Sequence, residues 1–164
     1  MAVSSDIVAM YRRPRAVIRD KLALDPREDR LAGYVLMAGV LIFVAQAPGQ
    51  AREAFLHPEV PLEARLYWSG LFFVFLMPLA MYGLAAASHV VARLLGGQGS
   101  WYGARLALFW ALLASVPAWL LAGLVAGFIG QGIQLTLTGS AALGVFVLFW
   151  ALGLAMAERR GVPA

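Results

Sequence analysis

His89 and Arg93 sit four residues apart, on one face of any helix that carries them, and Arg105 follows across the glycine-rich stretch Gly96-Gly97-Gln98-Gly99. With Trp101 and Tyr102 in the same turn, these cationic and amphipathic side chains have the chemistry to hold an anionic lipid headgroup or the carboxylate of a partner. The plainer reading makes Arg93 and Arg105 helix-end anchors whose charges reach back to water, with His89 packed at the membrane interface.

Other constellations offer less. His57 and Glu53 stand at helical spacing with Glu59 and Glu63 nearby, but no third ligand is positioned, so no metal and no cofactor are expected. No strand precedes the glycines and no Lys-Ser or Lys-Thr pair follows them, so the stretch fails as a nucleotide-binding loop. The absence of cysteine closes off thiolate nucleophiles, disulfides and Cys-ligated metals. No nucleophile, base and orienting acid form a matched set, so neither an enzyme nor a nucleic-acid partner is expected.

The elements that position these residues follow from where charge is missing. The 164-residue chain is 62% hydrophobic, yet between Arg30 and Arg52, between Arg65 and Arg93 and between Arg105 and Glu158 it carries no charged residue at all. A bilayer core about 30 Å thick takes roughly 20 apolar residues as helix, so the three gaps hold one, one and two spans. The spacing predicts an all-α polytopic membrane bundle with helices over about Leu31 to Pro48, Leu66 to Leu95, Ala104 to Ile129 and Thr136 to Ala157. The membrane domain is then 31–157, and Glu158, Arg159 and Arg160 stop the last span at the surface and open a short tail over 158–164.

Within the spans the nearest polar candidates are Gln46, His89 and the hydroxyls of Ser69, Ser88, Ser115, Thr136 and Thr138, types that most often bond a neighbouring helix or their own backbone. Gly83 with Ala87, and Gly123 with Gly127, form small-xxx-small pairs where helix backbones can approach closely. Pro78 and Pro117 interrupt two consecutive spans, a feature of many transporter helices.

Residues 1–30 form a separate basic segment. Ile7, Val8, Met10 and Tyr11, then Val17, Ile18 and Leu22, alternate with Arg and Lys, which fits an amphipathic segment on an anionic leaflet or, equally, a solvated tail. Ser5 or Asp6 is placed to cap a first short helix and Pro14 to open a second. Asp25-Pro26-Arg27-Glu28 reads as a capping box before the first span. No compact apolar core precedes a small-residue cleavage site, so no cleaved signal is expected. Four spans place the basic segment, the glycine turn and the C-terminus on one side, with only Arg52 and Arg65 on the other. By the positive-inside rule both termini are cytoplasmic.

The stretch Ser88-His89-Val90-Val91-Ala92-Arg93-Leu94-Leu95-Gly96-Gly97-Gln98-Gly99-Ser100-Trp101 resembles the turn of bacterial proteins of the Yip family, named for Ypt/Rab interaction in eukaryotes. The resemblance implies a non-enzymatic multi-span protein that acts through lipids or protein partners, its eukaryotic relatives serving vesicle traffic. The chain departs from the family's usual five spans in having four. Its Ala, Gly and Arg usage points to a GC-rich bacterial source and hence to the inner membrane. The expected role is a scaffold or accessory subunit contacting anionic lipids and a membrane-protein partner or a second copy. The alternative is a small transporter or channel for a neutral or lipid-like solute.

Overall fold

A computed structural model describes residues 3–159, and every regular element in them is helical. The order is α1 (Val3–Arg12), α2 (Pro14–Leu22), α3 (Glu28–Leu56), α4 (Leu62–Gly70), a π-helical stretch Leu71–Leu76, α5 (Met77–Leu94), α6 (Trp101–Phe128) and α7 (Ile133–Arg159). Four stretches are long and apolar enough to cross a membrane: α3, the continuous run Leu62–Leu94, α6 and α7, at 27 to 33 residues each. All exceed the roughly 20 residues a bilayer requires. The protein is an all-α bundle of multi-pass membrane type.

Pro48 and Pro78 are absorbed differently from expectation. Pro48 does not end the first span: α3 continues through it to Leu56, with the proline seated against Gly127 of α6, which has no side chain to obstruct it. Pro78 lies in the first turn of α5, just after the ladder has widened so that Met77 N–H donates to Phe72, five residues back. The π-helical turns place the bulge immediately before the residue that has no N–H to give. The predicted capping box also shifts: Arg27 is the N-cap residue and Asp25 makes no cap, while the Arg27 guanidinium pairs with Asp29 at 2.8 Å.

Helix α6 is the hub. Every residue from Leu106 to Val116 is buried, so no side of that stretch faces out. Helices α3 and α7 flank it, α5 leans on it from a third side, and the N-terminal helices close the remainder. Glycines set the spacing: a Cβ at Gly123 would run into the Ala45 carbonyl of α3, and one at Gly153 of α7 would lie 3.0 Å from Ala107 of α6.

Residues 3–22 fold onto this bundle as a helical hairpin. Met10 is fully buried and Val17, Ile18 and Leu22 are nearly so, packed against α6 and α7. The Tyr11 hydroxyl donates to the Ala114 carbonyl of α6 at 3.1 Å. Lys21 Nζ lies 2.7 Å from Asp6 and 4.3 Å from the centre of the Trp110 ring, tying α2 to α1 and to the hub together. Pro14 does open α2, but Ser5 and Asp6 lie inside α1 rather than capping it. Arg12, Arg13, Arg15 and Arg19 remain exposed, which marks this as the basic end of the bundle.

Candidate functional site

Two polar constructions stand out, one at each end of the bundle. At the basic end, α5 delivers His89 and the last turn of α7 delivers Glu158, 1% and 8% exposed. His89 Nδ1 lies 2.8 Å from Glu158 Oε1, and the Gly99 N–H donates to Oε2 at 2.9 Å. The Gln98 N–H adds a bond to the Glu158 backbone carbonyl at 3.0 Å. The glycine turn thus wraps the carboxylate, because an anion taken out of water needs donors aimed at both oxygens.

Each glycine has a distinct reason to be there. Gly96 is left-handed at φ 90°, and the Gly97 N–H to Ala92 carbonyl and Gly96 N–H to Arg93 carbonyl bonds close α5 in a Schellman motif. A Cβ on Gly97 would lie 2.5 Å from Glu158 Oε2, and one on Gly99 would lie 2.8 Å from it. Ser100 then caps α6, its hydroxyl accepting from the Gly103 N–H at 3.1 Å.

The structure distributes the residues singled out from sequence. His89 packs on Trp101, ring centroids 4.4 Å apart, and both line an open groove of about 350 Å³ with Val90, Arg93 and Leu94. Arg105 faces elsewhere: its guanidinium pairs with Glu28 of α3 at 2.6 Å and donates to the Trp101 carbonyl. Tyr102 is half-buried against the core. Gly123 and Gly127 meet α3 at Ala45 and Pro48, whereas Gly83 and Ala87 lie on an exposed face of α5. Glu158, expected to stop the last span at the surface, is instead buried; Arg160 lies outside the described residues. Among the described residues, no three His, Asp or Glu side chains converge as a metal set.

At the opposite end, α3, α6 and α7 diverge around a half-open cleft of about 320 Å³. Gln46, Gln50 and Glu53 recur at helical spacing and line one wall from α3; Trp119 comes from α6 and Gln131 from the turn between α6 and α7. Small residues make the room, among them Gly49, Gly123 and Gly139. Among the described residues, none of the three glutamine amides has a hydrogen-bond partner, and the buried Trp119 Nε1 has none either. Leaving a buried group such as the Trp119 N–H unpaired costs roughly 1–3 kcal/mol. Among the span hydroxyls, Ser88, Ser115 and Thr138 bond carbonyls of their own helices and Thr136 bonds the Gly132 carbonyl just before α7, while Ser69 has no partner among the described residues.

Sequence reasoning named Gln46 but not the row it belongs to, and missed the role of Glu158. The signals were present as the 46, 50, 53 spacing and as an acidic residue ending an otherwise uncharged run.

No family model, curated protein or solved structure matches the chain. Fold and composition define its class directly: a multi-pass integral membrane protein.

Proposed function

We propose that the protein is a non-enzymatic scaffold or accessory subunit of a bacterial inner-membrane complex, of Yip type, with both termini cytoplasmic. The contrast between its two small-residue pairs carries this reading. Gly123 and Gly127 are filled by α3, while a Cβ at Gly83 would meet nothing within 4 Å. In the second span 17% of the most apolar window is buried, against 61% in α6. Pairing helices in lipid gains little from the hydrophobic effect, so close approach at small residues decides where they associate. The free Gly83 and Ala87 face is therefore the seat for a partner helix or a second copy. The groove beside Arg93 and the exposed arginines of the hairpin supply contacts to anionic lipid, and the excess of Lys and Arg at this end supports its cytoplasmic placement.

The test is purification of the tagged full-length protein from its own membranes in mild detergent, as wild type, Gly83→Leu and Gly144→Leu. Gly144 also meets nothing within 4 Å, so its variant controls for added bulk. A stoichiometric partner or homo-oligomer retained by wild type and Gly144→Leu but lost from Gly83→Leu is the expected result. A lone monomer in all three overturns the reading.

The polar cleft favours a second reading, a small transporter or channel for a neutral or lipid-like solute. Solute or lipid flux in reconstituted vesicles, absent from protein-free ones, supports it; equal flux in both counts against it.

A further inference from the structure

We infer that the cleft between α3, α6 and α7 is a binding site for an amphiphile whose headgroup carries a primary ammonium. The cleft lies at the opposite end of the bundle from the His89 groove and on other helices than the free face of α5, so it is independent of the scaffold reading.

The first argument is hydrogen-bond demand. Gln46, Gln50 and Gln131 present amides that both donate and accept, yet none is paired among the described residues. The wall they form rises from Glu53 near the end of α3 to Gln46, seven residues further into the span. That is a ladder of polar groups leading from the membrane surface inward, beside apolar helix faces. A headgroup and its ester linkage have this vertical order of polar groups; a freely dissolved ion does not.

The second argument is charge. Glu53 is the one formally charged side chain that lines the cleft. Its sequence neighbour Arg52 does not line the cleft: it donates to the Gly127 carbonyl at 3.5 Å and lies along left-handed Gly130. His57 approaches Glu53 only to 3.9 Å. Helices α3 and α6 both end here, at Leu56 and Phe128, adding negative partial charge that the start of α7 offsets in part. The mouth therefore favours a cation, and a primary ammonium has N–H donors for the Glu53 carboxylate and nearby amides that a quaternary ammonium lacks.

The test is native mass spectrometry of the full-length protein in mild detergent, titrated with dihexanoyl phosphatidylethanolamine, phosphatidylcholine and phosphatidylglycerol. The ethanolamine lipid is expected to bind saturably and about tenfold more tightly than the other two, the value of one charge-assisted hydrogen bond. Glu53→Gln is expected to erase that preference, and Gln50→Leu to weaken all three lipids. Free phosphoethanolamine as competitor separates the sources: competition at equal concentration identifies a soluble amine, and its failure identifies the lipid, either of which upholds the ammonium site. Equal binding of the three headgroups by wild type overturns the inference, as does an unchanged preference in Glu53→Gln. That variant is nearly isosteric, so the outcome does not hang on whether Gln50→Leu folds.

Discussion

His89 and Glu158 stand 69 residues apart in the chain and 2.8 Å apart in space, and their contact is what fastens α5 to α7. Helix α5 otherwise leans on α6 and α3, so this pair is its tie to α7. The same carboxylate organises the glycine turn through the Gly99 N–H, so one side chain sets the relative positions of α5, the turn and α7.

Removing it leaves a buried imidazole and a backbone N–H unpaired. Glu158→Ala is expected to lower stability by about 3 kcal/mol, the cost of breaking a buried pair by deleting one partner. Glu158→Gln keeps two polar atoms in place and should lose less. Thermal unfolding in mild detergent orders the two variants, and equal Tm for Ala and wild type would contradict the assignment.

The glycines offer a matched comparison. Gly97→Ala and Gly99→Ala push a methyl into Glu158, and Gly123→Ala pushes one into the Ala45 carbonyl, so each should destabilise by roughly 1–3 kcal/mol. Gly83→Ala has open space and a helical backbone, and should be neutral or stabilising by up to about 1 kcal/mol. The same unfolding measurement distinguishes them.

Asp6 and Lys21 are 13% and 11% exposed at the side chain, so their pair is more than a surface contact. Asp6→Ala strands the ammonium beside Trp110, and should loosen the hairpin so that proteases cut residues 3–22 faster. Pairing it with Lys21→Met should restore much of the protection, because the second change removes the stranded charge.

Tyr11 makes the hairpin sensitive to alkali. Partial burial raises its pKa above the ordinary 10.0, with a weaker opposing pull from the Ala118 backbone. A raised folded pKa means the contribution is complete below pH 10 and is lost as pH climbs through the folded value. The hydroxyl must also keep its proton to donate to Ala114. Protease protection of α1 should therefore fall above pH 10 in wild type and show a smaller alkaline step in Tyr11→Phe.

The spans were legible because charge is excluded from a bilayer core and its absence can be counted along a chain: Arg30, Arg52, Arg65, Arg93, Arg105 and Glu158 bracket them. Their ends were not, because Pro48 and Arg52 read as a break whereas tertiary packing against Gly127 carries α3 eight residues further. That misplaced end also hid the polar ladder, since it left Gln50 and Glu53 outside the span that holds Gln46. The role of Glu158 was missed for a different reason. A carboxylate next to arginines at a helix end looks solvated, and only the fold brings His89 and the glycine turn around it. The hairpin was visible as an amphipathic pattern, but its apolar face meets α6 and α7.

Because α6 is the helix that the others surround, the order of the chain runs against the order of assembly. Helices α1 to α5 all precede α6 in the sequence, and the seat of the hairpin needs α7 as well. During synthesis, the contacts of the hairpin, α3 and α5 with the hub form only once α6 has been made. Residues 3–22, made before every span, are among the last to find their place.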